Sequence, residues 1–64
     1  YAYYFAGIAY LQNQQPYKAI NRLRNSISLN PRFKQAYQAL SQAYKQTGQE
    51  QQAQQVLNMA KQIQ

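Results

Sequence analysis

The chain repeats itself. Sliding its 64 residues along themselves by 34 positions leaves thirty overlapping pairs, and eight are identical. They are Ala2/Ala36, Tyr3/Tyr37, Ala9/Ala43, Tyr10/Tyr44, Gln12/Gln46, Gln15/Gln49, Ala19/Ala53 and Leu23/Leu57. Fourteen Gln residues supply one or two matches by abundance alone. The Tyr, Ala and Leu matches have no such explanation. Other pairs keep their character without identity: Ala6/Leu40, Gly7/Ser41, Ser26/Ala60 and Leu29/Ile63. A period of this length marks a stacked array in which each unit buries its apolar face against its neighbour.

Within each unit the spacing is helical. Ala36, Leu40, Ala43 and Tyr44 share one helical face, as do Ala53, Leu57, Ala60 and Ile63. Strand alternation is absent, and the abundant Ala and Gln are poor strand residues. Punctuation divides the chain into four helices, at about 1–12, 16–29, 33–46 and 49–63. Pro16 suits a first helical turn, where its missing N–H costs nothing. Asn30-Pro31 closes the second helix, because Pro disfavours helical backbone in the residue before it. Thr47-Gly48 is a turn signal. Asn13 is the expected turn residue of the first connection, since Asn tolerates the left-handed region. Connections this short oblige consecutive helices to run antiparallel. Small residues recur where helices would cross closely: Gly7, Ala19 and Ser26 in the first unit, Ser41, Ala53 and Ala60 in the second.

This pattern resembles the tetratricopeptide repeat, a helix-turn-helix unit of the same length. The first copy reads Tyr3, Ala6-Gly7, Tyr10, Ala19, Leu23, Ser26, Pro31; the second reads Tyr37, Leu40-Ser41, Tyr44, Gly48, Ala53, Leu57, Ala60. Two departures stand out. Gln14 replaces the inter-helix Gly in the first copy, and Ser41 replaces the Gly of the Leu-Gly pair in the second. The resemblance implies an all-α, right-handed solenoid of two stacked antiparallel helix pairs. It also implies a concave groove lined by the first helix of each pair, and binding of peptides or partner proteins. Residues 1–64 are expected to form one domain, with repeat one at about 1–33 and repeat two at about 34–64. Opening at Tyr1 without Met, the sequence is expected to be a segment of a longer repeat protein.

Composition removes most enzyme chemistry. Glu50 is the single acid, and Asp, His and Cys are missing. A metal site needs His, thiolate or several carboxylates. Acid-base and nucleophilic systems lack their partners. No catalytic residue, metal or cofactor is therefore expected. No stretch approaches the ~20 apolar residues of a membrane span. The net charge of +6 comes from scattered residues, Lys18, Arg22, Arg24, Arg32, Lys34, Lys45 and Lys61, with no run among them. Lys18 and Arg22, with Arg32 and Lys34 nearby, offer contacts to phosphate or to an acidic partner. Most aromatics are committed to packing, so no single-strand stacking platform is evident and nucleic acid is disfavoured.

Binding is left, and the groove face carries it. In the first helix Tyr1, Tyr4, Ile8 and Leu11 form one stripe, with Phe5 and Gln12 beside it. Tyr3, Ala6, Gly7 and Tyr10 form the opposite, packed face. A helix apolar nearly all round is expected to be buried on both sides. The third helix instead presents Gln35, Gln38, Gln42 and Lys45, with Ala39 and Gln46 beside them, an ordinary solvated surface. Tyr suits a binding site because it offers large area, few rotors and a polar tip. Some relatives that bind chaperone tails hold a carboxylate in a clamp of Lys, Asn and Arg. The matching positions here include Tyr4, Ile8, Ala39 and Gln42, so that clamp is missing, while Lys45 offers a lone point charge. The stripe has two bland readings: coverage by upstream repeats, or self-association into a homo-oligomer. A second open surface is expected at the end of helix four, where Val56, Met59 and Ile63 would meet further chain or another subunit. The expectation is a protein-interaction module for a peptide or partner protein, with an oligomerisation or scaffold segment as the alternative.

Overall fold

The computed structural model describes residues 1–63. Four α-helices follow in chain order: α1 (Ala2–Gln12), α2 (Pro16–Leu29), α3 (Lys34–Gln46) and α4 (Glu50–Lys61). Every boundary lies within two residues of its expected position, and no strand occurs among the described residues. Gln64, the last residue of the expected second repeat, lies outside them. α1 packs on α2, α2 on α3 and α3 on α4, while α1 meets α3 lightly. The helices therefore stack in sequence order as two pairs, the all-α solenoid arrangement.

Both hairpins close with the same turn. The Gln15 N–H donates to the Tyr10 carbonyl at 2.8 Å, and the Gln14 N–H to the Leu11 carbonyl at 3.1 Å. One repeat later the Gln49 N–H donates to the Tyr44 carbonyl at 2.8 Å, and the Gly48 N–H to the Lys45 carbonyl at 3.1 Å. This is the Schellman arrangement, which needs one residue in the left-handed region. Gly48 takes that place at φ 78° and Gln14 at φ 60°. The left-handed residue of the first connection is thus Gln14 and not Asn13, which sits at φ −90°. The side chain that tolerates the conformation best stands one position too early, because α1 runs through Gln12 before the chain turns.

Between the pairs, the Phe33 N–H donates to the Asn30 carbonyl at 3.1 Å. The Tyr37 hydroxyl donates to the Pro31 carbonyl at 2.7 Å, tying the start of α3 to the end of α2.

The core gathers Ala19, Ile20 and Leu23 of α2, Tyr37, Ala39, Leu40 and Ala43 of α3, and Val56 and Ala60 of α4. All six small residues expected at close crossings, Gly7, Ala19, Ser26, Ser41, Ala53 and Ala60, are buried. Gly7 shows why. A Cβ there would stand 2.6 Å from Leu23 Cγ and 2.7 Å from Leu23 Cδ2. Leu23 fills the space a side chain would take and is fully buried.

Helix α1 departs from expectation. Of its residues only Gly7 is fully buried. Tyr3 is 41% exposed, while its counterpart Tyr37 is 4% exposed. Ala2 and Ala9 are exposed where Ala36 and Ala43 are buried. The reason is neighbourhood: α2 and the Pro31 turn cover that face of α3, and nothing among the described residues lies against the same face of α1. At the other end the sequence itself changes. Ile20 belongs to the core and Ile27 packs against it. Their counterparts 34 positions on are Gln54 and Lys61, both exposed.

Three stability outcomes follow from these contacts. Gly7→Ala forces Leu23 from its place and is expected to destabilise by about 1–3 kcal/mol, read as a lower thermal midpoint in circular dichroism. Gln14→Gly relieves a left-handed Gln and is expected to stabilise by about 0.5–1 kcal/mol in urea unfolding. Gly48→Gln should lose a similar amount.

Candidate functional site

A concavity of about 350 Å³ lies on the side of α1 and α3, reaching to Leu57 of α4. Tyr4 and Ile8 of α1 border it, both half-buried. Across from them stand Gln35, Gln38, Gln42 and Lys45 of α3, all exposed, with Ala39 buried beneath. The helix period sets this up. Positions 4 and 8 are one turn apart, and 35, 38, 42 and 45 recur every three or four residues along α3. One wall is therefore aromatic and aliphatic; the other is a row of amides ending in an ammonium.

Seven residues named from the sequence meet in this concavity: Tyr4, Ile8, Gln35, Gln38, Ala39, Gln42 and Lys45. Five others do not line it, and one of them, Gln46, is exposed at the C-terminal end of α3. Leu11 is half-buried and packs against the core. Gln12 is exposed at the C-terminal end of α1. Tyr1 and Phe5 are largely exposed and belong to an aromatic cluster beside the concavity.

That cluster turns on Phe33, which sequence reasoning missed. The Phe33 ring centroid lies 4.8 Å from Tyr4 and 4.9 Å from Tyr1, both edge-to-face. Tyr4 in turn meets Phe5 at 5.4 Å. Edge-to-face pairs match the positive rim of one ring to the negative face of the other. Phe33 precedes α3, so it wedges between the beginnings of α1 and α3 and holds Tyr4 at the rim of the groove. Its signal in the sequence was an aromatic in a Pro turn with no assigned packing role. Leu57 was also missed as a lining residue. It matches Leu23, yet it is only half-buried because no further helix covers its outer side among the described residues.

The expected second surface breaks up. Val56 is 7% exposed and belongs to the core. Ile63 lies beyond α4 and packs, half-buried, against the same core. Met59 alone is open, at 50%. Val56 and Met59 border a different cleft of about 420 Å³ between α2 and α4.

Of the basic residues, Lys18 places its Nζ 5.8 Å from the Tyr10 ring centroid, a cation–π contact across the first hairpin. No group of His, Cys, Asp or Glu that could hold a metal occurs among the described residues. No helix described is long and apolar enough to cross a membrane.

A family model described as tetratricopeptide repeat matches residues 10–64. Neither a curated protein nor a solved structure gives a match.

If Phe33 fixes Tyr4, the two must be energetically coupled. A double-mutant cycle of Tyr4→Ala and Phe33→Ala, measured by urea unfolding, is expected to give a coupling of about 0.5–1.5 kcal/mol. A Tyr1→Ala and Lys45→Ala pair should add independently.

Proposed function

Since the chain belongs to the tetratricopeptide repeat family, whose repeats are typically non-catalytic modules that bind other proteins, we propose that it takes a peptide or partner protein into the concavity between α1 and α3. The domain so proposed is two repeats, at about 1–33 and 34–64. One observation carries the reading: Tyr4 and Ile8 on one helix face Gln38, Gln42 and Lys45 on another across open space. The apolar wall offers area to side chains. The amides can donate to and accept from an extended peptide backbone, which presents both kinds of group. Lys45 at the far end favours a ligand with a carboxylate there. What the lining offers a bound chain is apolar area, amide hydrogen bonds and one ammonium, the means of recognition.

A second reading has its own observation. Tyr3 is exposed where Tyr37 is covered, and Tyr1 and Phe5 are more exposed still. A face so apolar invites self-association. Sedimentation velocity across a wide concentration range separates the readings, since a ligand groove leaves a monomer and the alternative gives a dimer sensitive to Tyr3→Ser.

For the groove, the test is an immobilised array of short peptides varied in apolar and acidic positions. Peptides retained by the unmodified chain are expected to bind about tenfold or more weakly to Tyr4→Ala and to Ile8→Asp, with helical circular dichroism kept. Tyr17→Ala, on α2, should bind as the unmodified chain does. Equal retention by all the variants removes the groove from the function.

A further inference from the structure

We infer that the cleft on the opposite side of α3 is a second docking surface, and that its occupant is an acidic amphipathic helix from another protein. This goes beyond the groove reading and rests on different residues. No Cα of α2 comes within 8 Å of one of α4, and α3 forms the floor between them. Ile27, Leu40, Tyr44, Val56 and Met59 give the cleft an apolar interior. Its volume, about 420 Å³, falls in the usual ~300–1,000 Å³ range of binding clefts. The trough is bounded by two helices, as in sites that receive the apolar face of a third helix.

Charge selects the occupant. Arg24 lines the cleft on the α2 side and is exposed. Its guanidinium takes part in none of the side-chain hydrogen bonds formed among the described residues. The chain has one acid to offer it, Glu50, and that residue sits in the first turn of α4, where the helix dipole favours negative charge. Across the cleft stand Gln52 and Gln55, which are neutral. A carboxylate on an incoming helix would thus meet a free five-donor fork with no internal competitor and no repelling acid on the opposite wall. The net charge of +6 steers acidic partners inward and holds basic ones away. The same charge argues against a second copy of this chain, which would bring +6 against +6 and Glu50 as its one acid. Phosphate chains suit the surface poorly, because one cation above an apolar floor leaves most phosphates without partners.

Fluorescence anisotropy on the full 64-residue chain tests this. The probe is a labelled synthetic helix of Leu, Ala and Glu, with Leu at i, i+4 and i+7. One control carries Lys for Glu, a second Ser for Leu. The acidic Leu helix is expected to bind, and both controls to bind about tenfold or more weakly. Arg24→Gln and Met59→Asp should each weaken the acidic helix by about tenfold, while Tyr4→Ala, in the other groove, changes it less than about twofold. Arg24→Gln alters one exposed side chain, and unchanged circular dichroism confirms that its fold is kept. Indifference to Arg24→Gln overturns the inference. So does equal binding of the Ser-for-Leu helix, which would mean attraction by charge alone. An equal loss in Tyr4→Ala would move the acidic helix to the α1–α3 groove and leave this cleft without a ligand. Binding to vesicles containing phosphatidylserine that falls equally with Arg24→Gln would assign the cleft to an anionic surface and overturn the helix as its occupant.

Discussion

The backbone of Gly7 lies against the side chain of Leu23, with no room for a Cβ between them. The first helix pair depends on that approach. It brings the axes of α1 and α2 close enough for Leu23 to reach the shared core, to which Tyr37 and Leu40 of the next pair also belong. The second pair carries Ser41 and Leu57 at the matching positions, but the outcome differs. Leu23 is sealed and Leu57 is half-open. The same residue at the same place in the repeat has two environments, because each unit of a stacked array completes its burial only through its neighbour.

That dependence also sets what could be read from the sequence. Helix number, boundaries and the six close-packed small residues were legible, because they follow from spacing within a unit. Exposure was not. Tyr3 and Tyr37 are the same residue in equivalent places, and only a neighbouring helix distinguishes them. The left-handed turn residue was misplaced for a different reason. Propensity favoured Asn13, but the hydrogen-bonding register of the turn gave the strained place to Gln14. Phe33 escaped because position 33 has no counterpart in either copy within these residues, so comparison of repeats cannot see it. It proved to be the residue that braces Tyr1 and Tyr4.

The two concavities divide the surface of α3 between them. Gln38, Gln42 and Lys45 face one; Leu40 and Tyr44 face the other. The first is mostly polar on its α3 wall and the second apolar. A single helix thus presents two kinds of recognition surface on opposite sides. Substitutions on one side can be made without changing the lining of the other.

The exchange of Ile20 and Ile27 for Gln54 and Lys61 makes the outer sides of α1 and α4 unlike. The outer side of α1 offers Tyr and Ala; the outer side of α4 answers with an amide and an ammonium. For one copy to sit on another as α3 sits on α2, Lys61 would have to occupy the place of an isoleucine, and burying an unpaired ammonium is costly. Gln54 and Lys61 thus make α4 a poor substitute for α2 in that particular contact, although the two helices hold the same place in their repeats.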